Sequence, residues 1–138
     1  MKTLYAGARL FLLGTDVEGI VGESIIPFPI LPSTSLPCVA YHLVYGRDPE
    51  TMDGPTGLSQ SRVEFHCCDK SLQNADILRT AVKQALRNQR GDWGNTGGSA
   101  SNGVVVQGVN VVGSHDVYDG NLSIHHCIVE VLITWESL

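Results

Sequence analysis

Apolar residues recur along this chain with two periods, and each change of period marks an element. Leu4, Tyr5, Ala8, Phe11 and Leu12 fall three and four apart until Gly14, the spacing that lines up side chains on one helix face. They predict a first helix over about residues 2–13. Thr15-Asp16-Val17-Glu18 then has the spacing of a capping box, in which hydroxyl and carboxylate satisfy free amides at a helix start. It predicts one or two turns closed by Gly22. Pro27, Pro29, Pro32 and Pro37 exclude helix from the next stretch, since each lacks an amide hydrogen and biases its predecessor toward extended geometry. Ser24–Ile26 reads as a strand fragment. Pro27–Leu36 reads as an extended arm whose Phe28, Ile30 and Leu31 want a partner surface.

From Pro37 to Tyr45 the period becomes two. Val39, Tyr41, Leu43 and Tyr45 share one face, and Cys38, Ala40, His42 and Val44 the other, which predicts a central strand. Arg47–Gln60 is a polar connection with turn residues at Asp53-Gly54-Pro55-Thr56-Gly57. Connections of that length usually have a task. In the next strand, Ser61–Cys68, Val63, Phe65 and Cys67 alternate with Arg62, Glu64, His66 and Cys68.

The clearest helical pattern covers about residues 72–90. Leu72, Ala75, Leu78, Val82, Ala85 and Leu86 form its stripe, with Asp76, Thr80, Lys83 and Arg87 opposite. Ser71 suits the N-cap, and Arg87 and Arg90 suit the negative end of the dipole before Gly91. Each large aliphatic side chain buried against a sheet stabilises the fold by roughly 1.5–3 kcal/mol. Gly91–Gly103 has the composition of a flexible loop and carries Trp93. Val104–Val112 and Leu122–Trp135 supply two further strands around a polar turn, Gly113–Asn121. The order predicts one α+β domain, 1–138: a mainly antiparallel sheet of about four to five strands with two main helices packed on it.

Charge and composition narrow the partners. With 138 residues, the chain can bury about two-thirds of its unfolded surface, enough for a core without disulfides. Nine basic residues against 14 acidic ones give a net charge of −5, which excludes a broad basic footprint for nucleic acid. Cys38, Cys67, Cys68 and Cys127, with no signal peptide, read as reduced thiols in an intracellular compartment. The apolar run Leu10–Leu13 is too short to span a membrane.

His66-Cys67-Cys68 and His125-His126-Cys127 contain zinc-type donors. Neighbours on a strand point to opposite faces, however, so a site requires His66, Cys68 and His126 to meet across adjacent strands in one particular register. The preferred reading makes Cys67 and Cys127 core residues and the histidines a solvated or interfacial face, with no metal and no cofactor. Catalytic signatures are missing: the sequence has no GxSxG elbow, no GxxxxGK[ST] loop and no HExxH. His115, Asp116, Tyr118 and Asp119 fit turn chemistry better than acid–base catalysis. Cys68 beside His66 lacks anything resembling an oxyanion hole. The expectation is a protein that is not an enzyme.

Several stretches together resemble the tail-completion family of long-tailed bacteriophages. They are the opening helix, Asp16–Gly22 leading into Ile25-Ile26-Pro27, Leu36–Tyr41, Asp53–Leu58 before the strand Arg62–Cys68, the helix Ala75–Leu86, and Asp116-Val117-Tyr118 before the closing strand near Trp135. Their order and spacing carry the likeness, and Gly91–Gly103 departs from it in length and glycine content. The resemblance implies a structural virion protein, a tail terminator in the neck, made in the host cytoplasm. It implies self-association into a ring, commonly a hexamer, between the major tail tube protein and a head–tail connector or stopper protein. DNA would pass through the channel without specific binding, and no membrane is involved. Phe28, Ile30, Leu31, Arg47, Asp48, Met52, Asp53 and Trp93 are the candidate subunit and neighbour contacts. The alternatives are a head-completion or connector subunit of the neck, and a small metal- or ligand-binding α+β module.

Overall fold

The first apolar stripe folds as α1, Leu4–Leu13, in the computed structural model, which describes residues 4–47, 50–51, 54–55, 58–87, 89, 91–93 and 104–137. Leu4, Ala8 and Leu12 are buried. Thr15 joins α1 to α2, Asp16–Val21: its Oγ1 donates to the Leu12 carbonyl at 2.7 Å and accepts from the Val17 amide at 3.3 Å. Gly22 closes α2 at φ 61°, a conformation that costs glycine nothing.

Three-residue β1, Ile25–Pro27, lies parallel to β2, Cys38–Arg47. The two-residue strands β3, Glu50–Thr51, and β4, Gly54–Pro55, make a separate hairpin inside the expected polar connection. After them come β5, Ser59–Asp69, α3, Leu72–Leu86, β6, Gly91–Trp93, β7, Val104–Asp119, and β8, Ile124–Ser137. One six-stranded sheet has the order β1-β2-β5-β8-β7-β6, antiparallel at every pairing except β1–β2. The fold is the expected α+β arrangement.

All three helices cover one face, here the inner face. Leu78, Val82 and Leu86 of α3 pack into one cluster with Val63, Phe65, Val129 and Val131 of the sheet. Ser71 caps α3 by accepting from the Asn74 amide at 3.4 Å. The helix ends with its apolar stripe at Leu86, short of the expected boundary near residue 90. Arg87 leaves helical geometry at ψ 126° while its amide closes the last turn on the Lys83 carbonyl, so Lys83 is the basic residue in that turn.

A second correction concerns Gly91–Gly103, of which 94–103 lie outside the described residues. Gly91–Trp93 is a strand, and Trp93 is buried, its ring stacked on Phe11 with centroids 4.6 Å apart. Gly7 permits the approach: a Cβ there would sit 3.0 Å from the Trp93 carbonyl oxygen and 3.1 Å from Val104 Cγ2. A large aromatic that looks isolated in a polar stretch is thus the anchor holding the sheet margin to α1.

Candidate functional site

The outer face of the sheet holds the chemistry that the sequence flagged. Cys38 of β2 stands opposite Cys68 of β5, which stands opposite His126 of β8, giving one row across three strands. His66 lies two residues before Cys68 and shares its face. The register needed to gather His66, Cys68 and His126 is therefore the one the sheet adopts. Cys67 and Cys127 face each other in the opposite phase and belong to the inner core, as expected.

The proline-rich arm covers this row. It runs from β1 to β2 with cis peptides at Phe28-Pro29 and Leu36-Pro37. The Phe28 amide donates to the Tyr41 carbonyl at 3.0 Å, and Ser24 Oγ donates to the Ser35 carbonyl at 2.8 Å. Ile30 is buried with Cys38, Ala40, Cys68 and Ile124, bordered by Ile26, Leu36 and Leu122. The Phe28 ring lies over His66 at a centroid distance of 4.7 Å and over His42 at 5.3 Å. His66 and His126 are consequently buried rather than solvated, which corrects the sequence reading.

Hydrogen-bond logic assigns their protons. His66 Nε2 is 3.3 Å from Glu64 Oε1, an acceptor, so that nitrogen carries the hydrogen. Its Nδ1 is then a bare acceptor, and His126 Nδ1, 3.1 Å away, must donate to it. Cys68 Sγ, 3.5 Å from His126 Nδ1, sends its hydrogen instead to the His66 carbonyl at 3.4 Å. His126 Nε2 is left as a buried acceptor without a hydrogen-bond partner among the described residues. Burial, opposed by Glu64, lowers the His66 pKa, and burial lowers that of His126. The cluster is neutral imidazole.

Its chemical capacity is small. The hydrogen bond between Cys38 and Cys68, together with burial, pushes the Cys68 thiol up, while the same bond lowers that of Cys38; burial pushes Cys67 and Cys127 up. A protonated thiol is neither a nucleophile nor a metal ligand. Among the described residues, no group of three or more His, Cys, Asp or Glu side chains is arranged to hold a metal ion. The expected polar turn Gly113–Asn121 is strand as far as Asp119, a continuation of β7, and there Asp116 pairs with Arg79 of α3, which also holds Asp76. Asp119 accepts from the Asn121 and Leu122 amides at 2.9 and 3.3 Å, the turn role expected of it. The cleft between α2 and α3, lined by Thr15, Asp16, Ala81, Gln84 and Ala85, carries one carboxylate and no imidazole or thiol.

The candidate contact residues divide by position. Phe28 and Leu31 are exposed at 38% and 59%, free to meet a neighbour. Ile30 turns inward at 8% and Trp93 at 2%, so neither offers a docking surface; each is consumed by the protomer's own packing. Arg47 ends β2, while Asp48, Met52 and Asp53 lie outside the described residues. Further exposed apolar residues went unselected in the sequence: Leu43 and Val44 on β2, and Val112, Val117 and Tyr118 on β7. An apolar residue in a strand with alternating pattern reads as core, and only the strand order reveals which strands lie at a margin. Among the described residues, no helix is long and apolar enough to cross a membrane.

No protein-family model matches the chain, and no curated protein does. Its fold is similar to a solved chain from the virion of a native gene transfer agent (GTA) particle. The TM-score is 0.62 at 13% sequence identity, over 96% of this chain and 94% of that one.

Proposed function

We propose that this chain is a non-enzymatic structural protein of a phage-type virion that forms a ring at the head-proximal end of a tail tube. It ends tube polymerisation and joins the tail to the head connector. The observation that carries this reading is the fold likeness to a virion chain over 96% of the present one. The tail-completion resemblance in the sequence supports it independently. The chemistry agrees: three thiols held protonated, Cys67, Cys68 and Cys127, and buried imidazoles suit a scaffold rather than a reaction centre.

The partners in this reading are further copies of the chain, the major tail tube protein and the connector or stopper protein. A net charge of −5 suits a ring through which DNA moves, because basic residues would retain phosphate. Rings arise from heterologous interfaces that close. Phe28 and Leu31 on the arm, and the connection around Arg47, Asp48, Met52 and Asp53, are the proposed contacts. The test is assembly. Negative-stain images of purified protein should show rings of uniform diameter, and the protein added to polymerising tail tubes should cap them at one end. Protein that stays monomeric at all concentrations and leaves tube growth unchanged would sink the reading.

A further inference from the structure

The sheet is guarded unequally at its margins. β6 pairs with β7 only over Val104–Val106, so among the described residues the outer edge of β7 from Gly108 to Asp119 has no partner strand. The sequence from Val104 to Asp119 contains no Pro, Lys or Arg; its guards are the register shifts at Gly108 and Gly113 and the acidic Asp116 and Asp119. Val112, Val117 and Tyr118 beside it are exposed at 47%, 47% and 56%. Its pairing with β8 shifts at Gly108 and Gly113, yet a Cβ at either glycine would meet no atom within 4 Å.

The opposite margin is complementary. β1 covers β2 only over Val39–Tyr41, and among the described residues His42–Arg47 has no partner strand on that side, with Leu43 and Val44 exposed. The strand senses also agree. β2 runs antiparallel to β5, β5 to β8 and β8 to β7, so β2 is antiparallel to β7 within the sheet. A second copy in the same orientation, helices on the same face, brings its β2 antiparallel to the first copy's β7, the more stable sense of pairing.

We propose that copies of this chain join by strand addition, the open end of β2 in one pairing with the Gly108–Asp119 edge of β7 in the next. This rests on the ring reading above and names its interface. The contact is heterologous, so each copy keeps one free edge of each kind until the ring closes.

Two paired variants test it, read by light scattering and native mass spectrometry, with circular dichroism to verify the fold. Val112→Lys/Val117→Lys guards the β7 edge, and Leu43→Lys/Val44→Lys guards the β2 edge; all four side chains are exposed. Each variant alone should stay folded and monomeric. Mixed together they should yield dimers only, because one partner retains each competent edge. Rings formed by either folded variant would overturn this interface and leave the ring reading standing. Monomeric wild-type protein would remove the ring reading and the interface with it. Should either variant misfold, the single changes Val117→Lys and Leu43→Lys take their place, with at least a tenfold weakening of assembly expected.

Discussion

The two faces of one sheet are covered in different ways. The inner face is sealed by three helices over a continuous aliphatic core from Leu4 to Ile133. The outer face is covered at one end by a short arm with a single buried aliphatic anchor, Ile30, over a row of thiols and imidazoles. Beyond the arm that face is polar: Glu64 stands opposite Glu130, and Arg62 lies 3.6 Å from Glu130. The inner face supplies most of the buried apolar packing, while the outer face is covered only in part.

Breaking the inner face should have the largest effect. Phe65 is fully buried at the centre of β5, and Phe65→Ala should destabilise the fold by about 3–5 kcal/mol in urea titration. Ile30→Ala removes the anchor of the arm and should cost about 2 kcal/mol, at the low end of such truncations because the site can partly collapse. Equal losses for the two would contradict the asymmetry. The finest probe is pH. Burial holds His66 and His126 below the ordinary imidazole value of about 6.5, so below that pH the unfolded chain binds protons that the folded chain refuses. Stability is full above pH ~6.5 and should fall progressively below it. Thermal melts of His126→Gln should show a shallower decline, and a flat profile for the wild type would falsify the neutral-pair assignment.

How far the sequence disclosed this molecule follows the same division. The inner face was legible because helix and strand periods both mark it: the Leu78, Val82 and Leu86 stripe and the Val63, Phe65 and Cys67 alternation stand as read. The outer face was not. Whether His66, Cys68 and His126 meet depends on the register between strands that are distant in the chain, and local periodicity is silent on register. Ile30 was read as exposed because an arm of prolines gives no periodicity from which to infer a buried side. Trp93 misled for a related reason: its partner, Phe11, lies on the first helix, and nothing around Trp93 itself signals packing.

The position of β5 also governs how the chain folds in time. Each rung it forms with β8, from Ser59 opposite Trp135 to Asp69 opposite His125, closes a long loop before any contact rewards the lost entropy. The α3 helix can form from local contacts, but the sheet it covers must wait for the C-terminal strand. Folding should therefore be slow for a chain of this size, and a nascent copy lacking β8 would leave β5 and β7 without the strand between them. In the proposed assembly, competence would arrive last, with the residues from Ile124 onward, because a truncated copy has no completed β7 margin to offer a neighbour.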